Sequence, residues 1–353
     1  MKREKRQRIE ANPIPLDLEE AILTRLPAKS LMKFLCVSKT WSSIIRNQRF
    51  VNSYYAMSFQ SLSAAVHKPW LMTGVLYLSN ASSCQSVHGL IGCISSFPFI
   101  VCNPSTNKFT TLPCAGARTS WGYDPVGDQF KALTMVSYPH QPHDSLVYEV
   151  LTLGGGESSW TRNRFTSPPH FTVTKSKCIN GFVYYAAWTP TRTKSPVIVC
   201  FDVRYERLSF IKAPMAVVCW EGESILIEYK AKLASVARHP HADFRSFDLW
   251  ILEDVTTHDW SKQTFELPFS LGMGRNITSP GTNKAGEIIF APKRLSNDVQ
   301  PYYIFYYNVD RKDMRRVWLL GIADDEEFRR RYRITGQCYV SISPQHVESI
   351  ASL

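Results

Sequence analysis

Five aromatic residues, Phe109, Trp160, Phe210, Trp260 and Trp318, each stand just after a polar turn, and their separations are 51, 50, 50 and 58 residues. Before the turns come runs that read as strands: Ile100 to Cys102, Val147 to Leu153, Val197 to Phe201, Phe247 to Leu252 and Tyr302 to Tyr307. From about residue 70 onward, short stretches of Val, Ile, Tyr and Phe alternate with Gly, Pro, Asn and Asp, the pattern of an all-β body. A β-sandwich would show the turn signals without the recurrence.

A four-stranded unit of this length is unable to bury both of its faces alone, so several must pack radially around an axis. The period is that of a kelch-type propeller blade. The runs before the turns are then the penultimate strand of each blade. The recurring aromatic opens the outer strand and wedges one blade against the next. Five wedges are visible, and residues 56–80 with the stretch from Tyr339 to Ile342 are expected to close a sixth. The expected fold is mainly β: a small N-terminal three-helix unit followed by a kelch-like β-propeller of five to six blades.

The helical unit occupies residues 13–55. Asp17, with Glu20 three positions on, suits the start of a helix near Leu18. Leu18, Ile22, Leu23 and Leu26 share one helical face, and Pro27 ends the segment. Leu31, Phe34 and Leu35 repeat the apolar spacing, and Ser38 caps a third helix carrying Trp41, Ile44 and Ile45. A unit of about forty residues is at the limit of what buries its own core. Periodicity alone leaves two readings open, a docking module for a partner or a helical lid on the rest of the chain.

The motifs IPLDL, ILTRLPAKSLMKF and CVSKTW, followed by a basic-aromatic tail, resemble the F-box along its whole length. The resemblance implies docking on the small Skp-type adaptor of a cullin-based ubiquitin ligase, and through it association with cullin and RING subunits. It assigns Pro15, Leu16, Leu18, Ile22, Leu23, Leu26, Pro27, Leu31, Val37 and Trp41 to the adaptor face or its immediate support. Ala21 stands where the family usually has Glu, and Leu35 where it often has Arg. Both remove a charge from what would be the rim of the contact, where charges contribute little.

The later segments NPSTNKFTTLP, GYDPVGDQFKAL, CINGFVYYAAW, VIVCFDVRYERLSFI, LWILEDVTTHDWSKQTFELP and QHVESIASL resemble the plant F-box-associated domains. That resemblance covers nearly the whole body and implies a plant protein whose propeller recruits a protein substrate for ubiquitination. It leaves the substrate unnamed, because a fold does not fix a function. The expected organisation is a basic arm at 1–12, an F-box at 13–55 and a substrate-recognition propeller at 56–353.

Composition bounds the alternatives. No run of eighteen apolar residues is present to span a bilayer, and MKREKRQRIE has no apolar core of a secretory signal, so the expected location is nucleus and/or cytoplasm. The basic arm reads as a disordered tail in preference to a nuclear-import signal. Without a secretory signal, the sequons at Asn80 and Asn276 are expected to stay unmodified. Nine cysteines without a CxxC pair suit neither a zinc site nor a disulfide scaffold, and read as reduced, mostly buried thiols. The net charge of +11 invites a nucleic-acid reading, but the positive residues are scattered, and Asp324, Asp325, Glu326 and Glu327 offset Arg329, Arg330, Arg331 and Arg333.

Catalytic signatures are missing from the sequence. Gly154 to Gly156 lacks the Lys-Ser or Lys-Thr of a phosphate loop and reads as a β-turn. His239 and His241 with Asp243, and His140 with His143, sit in polar, loop-like surroundings, so neither a metal nor another cofactor is expected. No GxSxG or HExxH motif occurs. The expected role is therefore that of a non-catalytic receptor. A propeller enzyme or ligand-binding protein, and a basic nucleic-acid-binding protein, are the competing classes. Substrate contacts are expected on one rim, at loops carrying Trp121 and Tyr123, Trp188, Trp220 and Arg275.

Overall fold

The computed structural model describes residues 15–51, 53–54, 83–94, 99–113, 118–136, 145–154, 160–190, 194–219, 224–238, 244–271, 276–320, 322, 324–331, 334, 338–344 and 346–351. The helical unit comprises α1 (Leu16–Leu23), α2 (Ala28–Phe34) and α3 (Lys39–Arg46). Helix α1 starts two residues earlier than the sequence suggests. Pro15 is its N-cap, with φ of −56°, and the Pro15 carbonyl accepts from the Leu18 and Glu19 amides at 3.0 and 3.1 Å. Asp17 falls in the first turn, where its charge favours the helix dipole instead of capping an amide. Pro27 likewise marks the start of α2 more than the end of α1. Ser38 caps α3 as expected, its Oγ accepting from the Thr40 amide at 3.2 Å.

The body is a β-propeller of five antiparallel sheets in chain order among the described residues. They are β1–β4 (Ser83–Val87, Leu90–Ile94, Phe99–Asn103, Lys108–Thr111), β5–β8 (Arg118–Asp124, Gln129–Met135, Leu146–Leu153, Trp160–Ser167), and β10–β13 (Lys177–Ile179, Phe182–Thr189, Ser195–Asp202, Arg207–Lys212), with β9 (Phe171–Thr172) added beside β11. The fourth is β14–β17 (Ser224–Tyr229, Lys232–Arg238, Ser246–Asp254, Asp259–Glu266) and the fifth β18–β21 (Ile277–Thr282, Ile288–Pro292, Tyr302–Asn308, Asp313–Leu319). Neighbouring sheets meet at their first strands, β1 with β5, β5 with β10, β10 with β14 and β14 with β18, so these line the axis. The fourth strands lie outermost and keep exposed residues along most of their length.

Apolar layers alternate with the sheets. Leu133, Tyr148 and Val150 pack with Val183, Val199 and Phe201 between the second and third sheets. Phe247, Leu249 and Phe265 pack with Phe290 and Tyr307 between the fourth and fifth. Because second and third strands are covered on both faces, they read as continuous apolar runs, buried along nearly all of β6, β11 and β20. A partly buried ion pair crosses the boundary between the second and third sheets, Lys131 Nζ lying 2.7 Å from Glu206 Oε1.

Every run assigned to a penultimate strand is a third strand, and every recurring aromatic lies on a fourth strand. The wedge role holds for only part of the set. Trp160 and Trp260 pack on inter-sheet cores, and Phe210 does so too, whereas Phe109 and Trp318 are 72% and 46% exposed. Phe109 pairs with Cys102 on the face turned away from the second sheet, where the first sheet has no neighbouring sheet among the described residues. What recurs more strictly is the residue that closes the third strand. Asn103, Asp202, Asp254 and Asn308 each accept, through Oδ1, a backbone amide two or three residues on, at 2.6 to 3.0 Å. Each turn then ends on a residue with positive φ, Asn107, Glu206, His258 or Lys312. These Asx turns set the register of the outer strand. Residues 56–80, expected to contribute to a sixth blade, lie outside the described residues.

The fifth sheet has no sixth sheet against it among the described residues. Its free face is covered by Phe328 of α4 (Glu326–Arg331) and by Ile334, Cys338, Val340 and Ile342. The same segment continues to the first sheet, where His346 Nδ1 lies 2.9 Å from Ser86 Oγ and Asn103 Nδ2 donates to the Ser349 and Ala351 carbonyls at 3.0 and 2.9 Å.

Three histidines are held neutral inside this body. Burial lowers His88, His170 and His346 to about 4. His170 is the clearest case: Nδ1 donates to the Pro168 carbonyl at 2.9 Å, which leaves Nε2 to accept from the Tyr148 or Tyr185 hydroxyl, at 2.8 and 3.0 Å. The unfolded chain therefore binds more protons than the folded one between about pH 6.5 and about pH 4, and stability present above that window is lost as pH falls through it. His170 alone accounts for a loss on the order of 3 kcal/mol. Urea unfolding midpoints should fall steadily on acidification through this window; a flat profile would contradict the buried neutral assignment.

Candidate docking face and recognition rims

The helical unit divides its apolar residues between two surfaces. Leu23, Ala28, Leu31, Ile45, Phe50 and Tyr54 form its core, with Leu26, Phe34, Leu35, Trp41 and Ile44 packed against them. Phe34 and Trp41 meet edge to face, with ring centroids 5.0 Å apart. Leu16, Leu18, Ile22 and Val37 are instead 64%, 53%, 52% and 66% exposed. Pro15 and Pro27 are exposed beside them. Of the ten residues assigned to the docking face, six thus lie open, Leu26 and Trp41 are half-buried, and Leu23 and Leu31 support the face from the core. Leu35 rests against that core, so an Arg at this position would carry a charge into the packed side.

The helices are joined to the body by the C-terminal segment. The Ala28 amide, at the first position of α2, donates to Glu348 Oε2 at 2.8 Å, and the Tyr54 hydroxyl donates to the same oxygen at 3.2 Å. Pro27 offers no side-chain cap, so a carboxylate 320 residues away supplies it. Ile350 packs into the helical core, and between these contacts the Ser349 amide donates to Ser105 Oγ at 3.0 Å. Gly89, with φ of 79°, lies where any Cβ would meet the Val347 carbonyl at 2.8 Å and Ser349 Cβ at 2.6 Å. One strand of chain thereby clasps the fifth sheet, the first sheet and the helices.

The predicted substrate residues are not brought together on a surface. Trp121, Tyr123 and Trp188 are 1%, 6% and 3% exposed, and lie in strands rather than loops. Trp121 stacks on Phe130 with centroids 5.5 Å apart, and the Tyr123 hydroxyl donates to Asp128 Oδ1 at 2.6 Å. They were expected in rim loops, but both strands belong to sheets covered by neighbours on both faces. Trp220 and Arg275 lie outside the described residues, as do His140, His143, His239, His241 and Asp243.

Ionisable groups in the body serve packing. Cys178 and Cys200 are pushed up to about 11 by burial, which keeps their thiols protonated and poorly nucleophilic. Cys93, Cys102 and Cys200 are buried, Cys36 is exposed, and the described cysteines are free. Burial lowers Lys177 and raises Glu228, each drawing partly back toward its charged form through the other. Among the described residues no group of three or more His, Cys, Asp or Glu is arranged to hold a metal, and no helix is long and apolar enough to cross a membrane.

Comparison with known proteins matches residues 30–347 to a family model described as the F-box associated beta propeller domain. The chain is 46% identical to F-box protein At1g30790 of Arabidopsis thaliana, over 98% of this chain and 100% of that protein. It is 45% identical to Putative F-box protein At1g32660 of the same plant, over 94% and 82% of the two chains. F-box protein DOR, also from Arabidopsis thaliana, is 32% identical over 88% of this chain and 89% of its own length.

Replacing Glu348 by Ala removes a charge-assisted acceptor from two donors, a loss of about 1–3 kcal/mol at the helix–body junction. Amide exchange in residues 28–34 should accelerate while the sheets keep their protection. Unchanged exchange in α2 would show that the carboxylate is not its cap.

Proposed function

This chain belongs to the plant F-box proteins that carry an F-box-associated β-propeller domain, and from that we propose that it is a substrate-receptor subunit of a Skp–cullin–F-box ubiquitin ligase. The observation that carries the reading is the exposure of Leu16, Leu18, Ile22 and Val37, with Leu18 and Ile22 four residues apart on α1, on a helical unit whose core is built from other residues. Large apolar side chains left exposed together mark a protein contact. We assign residues 13–55 to the adaptor, residues 56–353 to substrate recognition, and the basic residues 1–12 to an arm outside both. The working location is the nucleus and/or cytoplasm, where the adaptor, cullin and RING subunits are met.

In this role the chain performs no bond chemistry. It raises the local concentration of a bound protein near a ubiquitin-loaded enzyme held by the same assembly, which converts an encounter between free molecules into one within a complex. A fixed junction between helices and propeller serves that task, since the benefit of proximity falls as the two bodies wander.

The exposed positions make a cleaner test than Leu26 or Trp41, whose truncation would also loosen the helical core. Each buried aliphatic side chain contributes roughly 1.5–3 kcal/mol to a contact. Leu16→Asp combined with Ile22→Asp should therefore weaken adaptor binding roughly a hundred-fold or more, read by co-purification and titration with a Skp-type adaptor. The unfolding midpoint of the propeller should not move. Retained adaptor binding in this double variant would sink the assignment.

A further inference from the structure

We propose that the axis of the propeller holds a binding site for a small zwitterion, an α-amino acid, between Lys177 and Glu228. The site belongs to the axial strands alone, so it goes beyond the receptor role and does not rest on it. Strand alternation turns the two side chains toward each other. On β10, Lys177 shares a face with Ile179, which packs in the layer between the third and fourth sheets. On β14, Glu228 shares a face with Leu226, which packs in that same layer, while Ile227 and Tyr229 face the fifth sheet. The strand ends are level. The Asn180 side chain donates to the Ala231 carbonyl at 3.2 Å, and Thr282 Oγ1, at the end of β18, donates to the Glu228 carbonyl at 3.1 Å.

Two contacts cross the axis between sheets that are not neighbours. Lys177 Nζ donates to the Pro280 carbonyl of the fifth sheet at 3.4 Å, and Ser176 Oγ donates to Gln85 Oε1 of the first at 3.3 Å. Side chains of the first, third and fourth sheets thus converge on one space. Unlike the other ionisable groups of the body, these are not accounted for by packing. The Glu228 carboxylate makes no hydrogen bond or ion pair among the described residues, although Lys177 faces it and acts on it electrostatically. The Lys177 ammonium, with three donors, has the one long bond to Pro280, and Gln85 Nε2 is buried without a partner. Opposite the ammonium the fifth sheet carries Gly281. A Cβ there would lie 3.6 Å from Lys177 Nζ and 3.8 Å from Pro344 Cγ, so no side chain fills that wall. Gln85, Lys177 and Glu228 all stay half-buried rather than sealed.

The ligand class follows from which groups are left without partners. The Lys177 ammonium and the Gln85 amide offer donors to a carboxylate, and the Glu228 carboxylate accepts from an ammonium. A metal ion would be set against Lys177, and an inorganic anion against Glu228. A zwitterion presents the complementary charge to each. Buried charges are costly while unmatched, and one molecule carrying both signs relieves the two together. The convergence of side chains from several first strands keeps the space small, which suits an amino acid better than a peptide.

The test is saturation-transfer NMR and calorimetric titration of the full chain with the proteinogenic L-α-amino acids. At least one should bind, and its des-amino and decarboxylated analogues should each bind at least about tenfold more weakly. Lys177→Met and Glu228→Gln should each weaken binding of the parent amino acid by at least about tenfold. A single variant leaves one charge unmatched and so loosens the fold, whereas Lys177→Met with Glu228→Met removes both together. That double variant should keep the unfolding midpoint and lose binding altogether. Failure of every amino acid to bind the unaltered chain overturns the proposal. Analogues with one charge binding as tightly as the parent, or binding that survives in the double variant, overturn it as well.

Discussion

Each sheet of the propeller is apolar on both faces, and this single constraint organises the molecule. A sheet in the middle of the series is satisfied by its neighbours, as Phe247 and Leu249 are by Phe290 and Tyr307. The two ends of the series have no such provision. The segment from Ile334 to Ile342 covers the fifth sheet, and its continuation to Ala351 reaches the first. The burial of apolar surface thus dictates that the chain end cross back over the body, and the helices are held where that crossing delivers Glu348 and Ile350. Hydrophobic coverage comes first in this order of causes, and the polar contacts at Asn103 and Ser105 fix its register.

The distribution of exposure supports the proposed receptor role. Leu23 and Leu31 close a core with Ile45 and Phe50, so the helical unit does not depend on a partner for its interior. Leu16, Leu18, Ile22 and Val37 then remain as surplus apolar surface. In the propeller Trp121, Tyr123 and Trp188 are buried, while Phe109 and Trp318 stay exposed on the outer strands.

Much of the body was legible in the sequence because its signals are local. Third strands such as Val197 to Phe201 announce themselves as unbroken apolar runs, and their spacing follows from the size of a four-stranded unit. The aromatic after each turn was a weaker marker, since Phe109 and Trp318 face solvent while Trp260 packs inward. The stricter signal was the Asn or Asp closing the third strand, visible in NPSTN, DVRYE, DVTTH and NVDRK, whose side chain and turn geometry recur together. Trp121 and Trp188 were expected at rim loops, whereas both lie on strands whose faces are covered by neighbouring sheets. The contact of Glu348 with Ala28 had no local signature at all: a capping carboxylate 320 residues from its helix is set by topology alone.

That distance carries a consequence for synthesis. The acceptor for the first amide of α2 leaves the ribosome 320 residues after that amide, together with the Ile350 side chain that packs against the helical core. A nascent or prematurely terminated chain would present the docking helices without their anchor to the body. What waits for the propeller to be translated is the anchoring of the docking helices, not their own core, so the order of the chain couples the junction to the finished sheets.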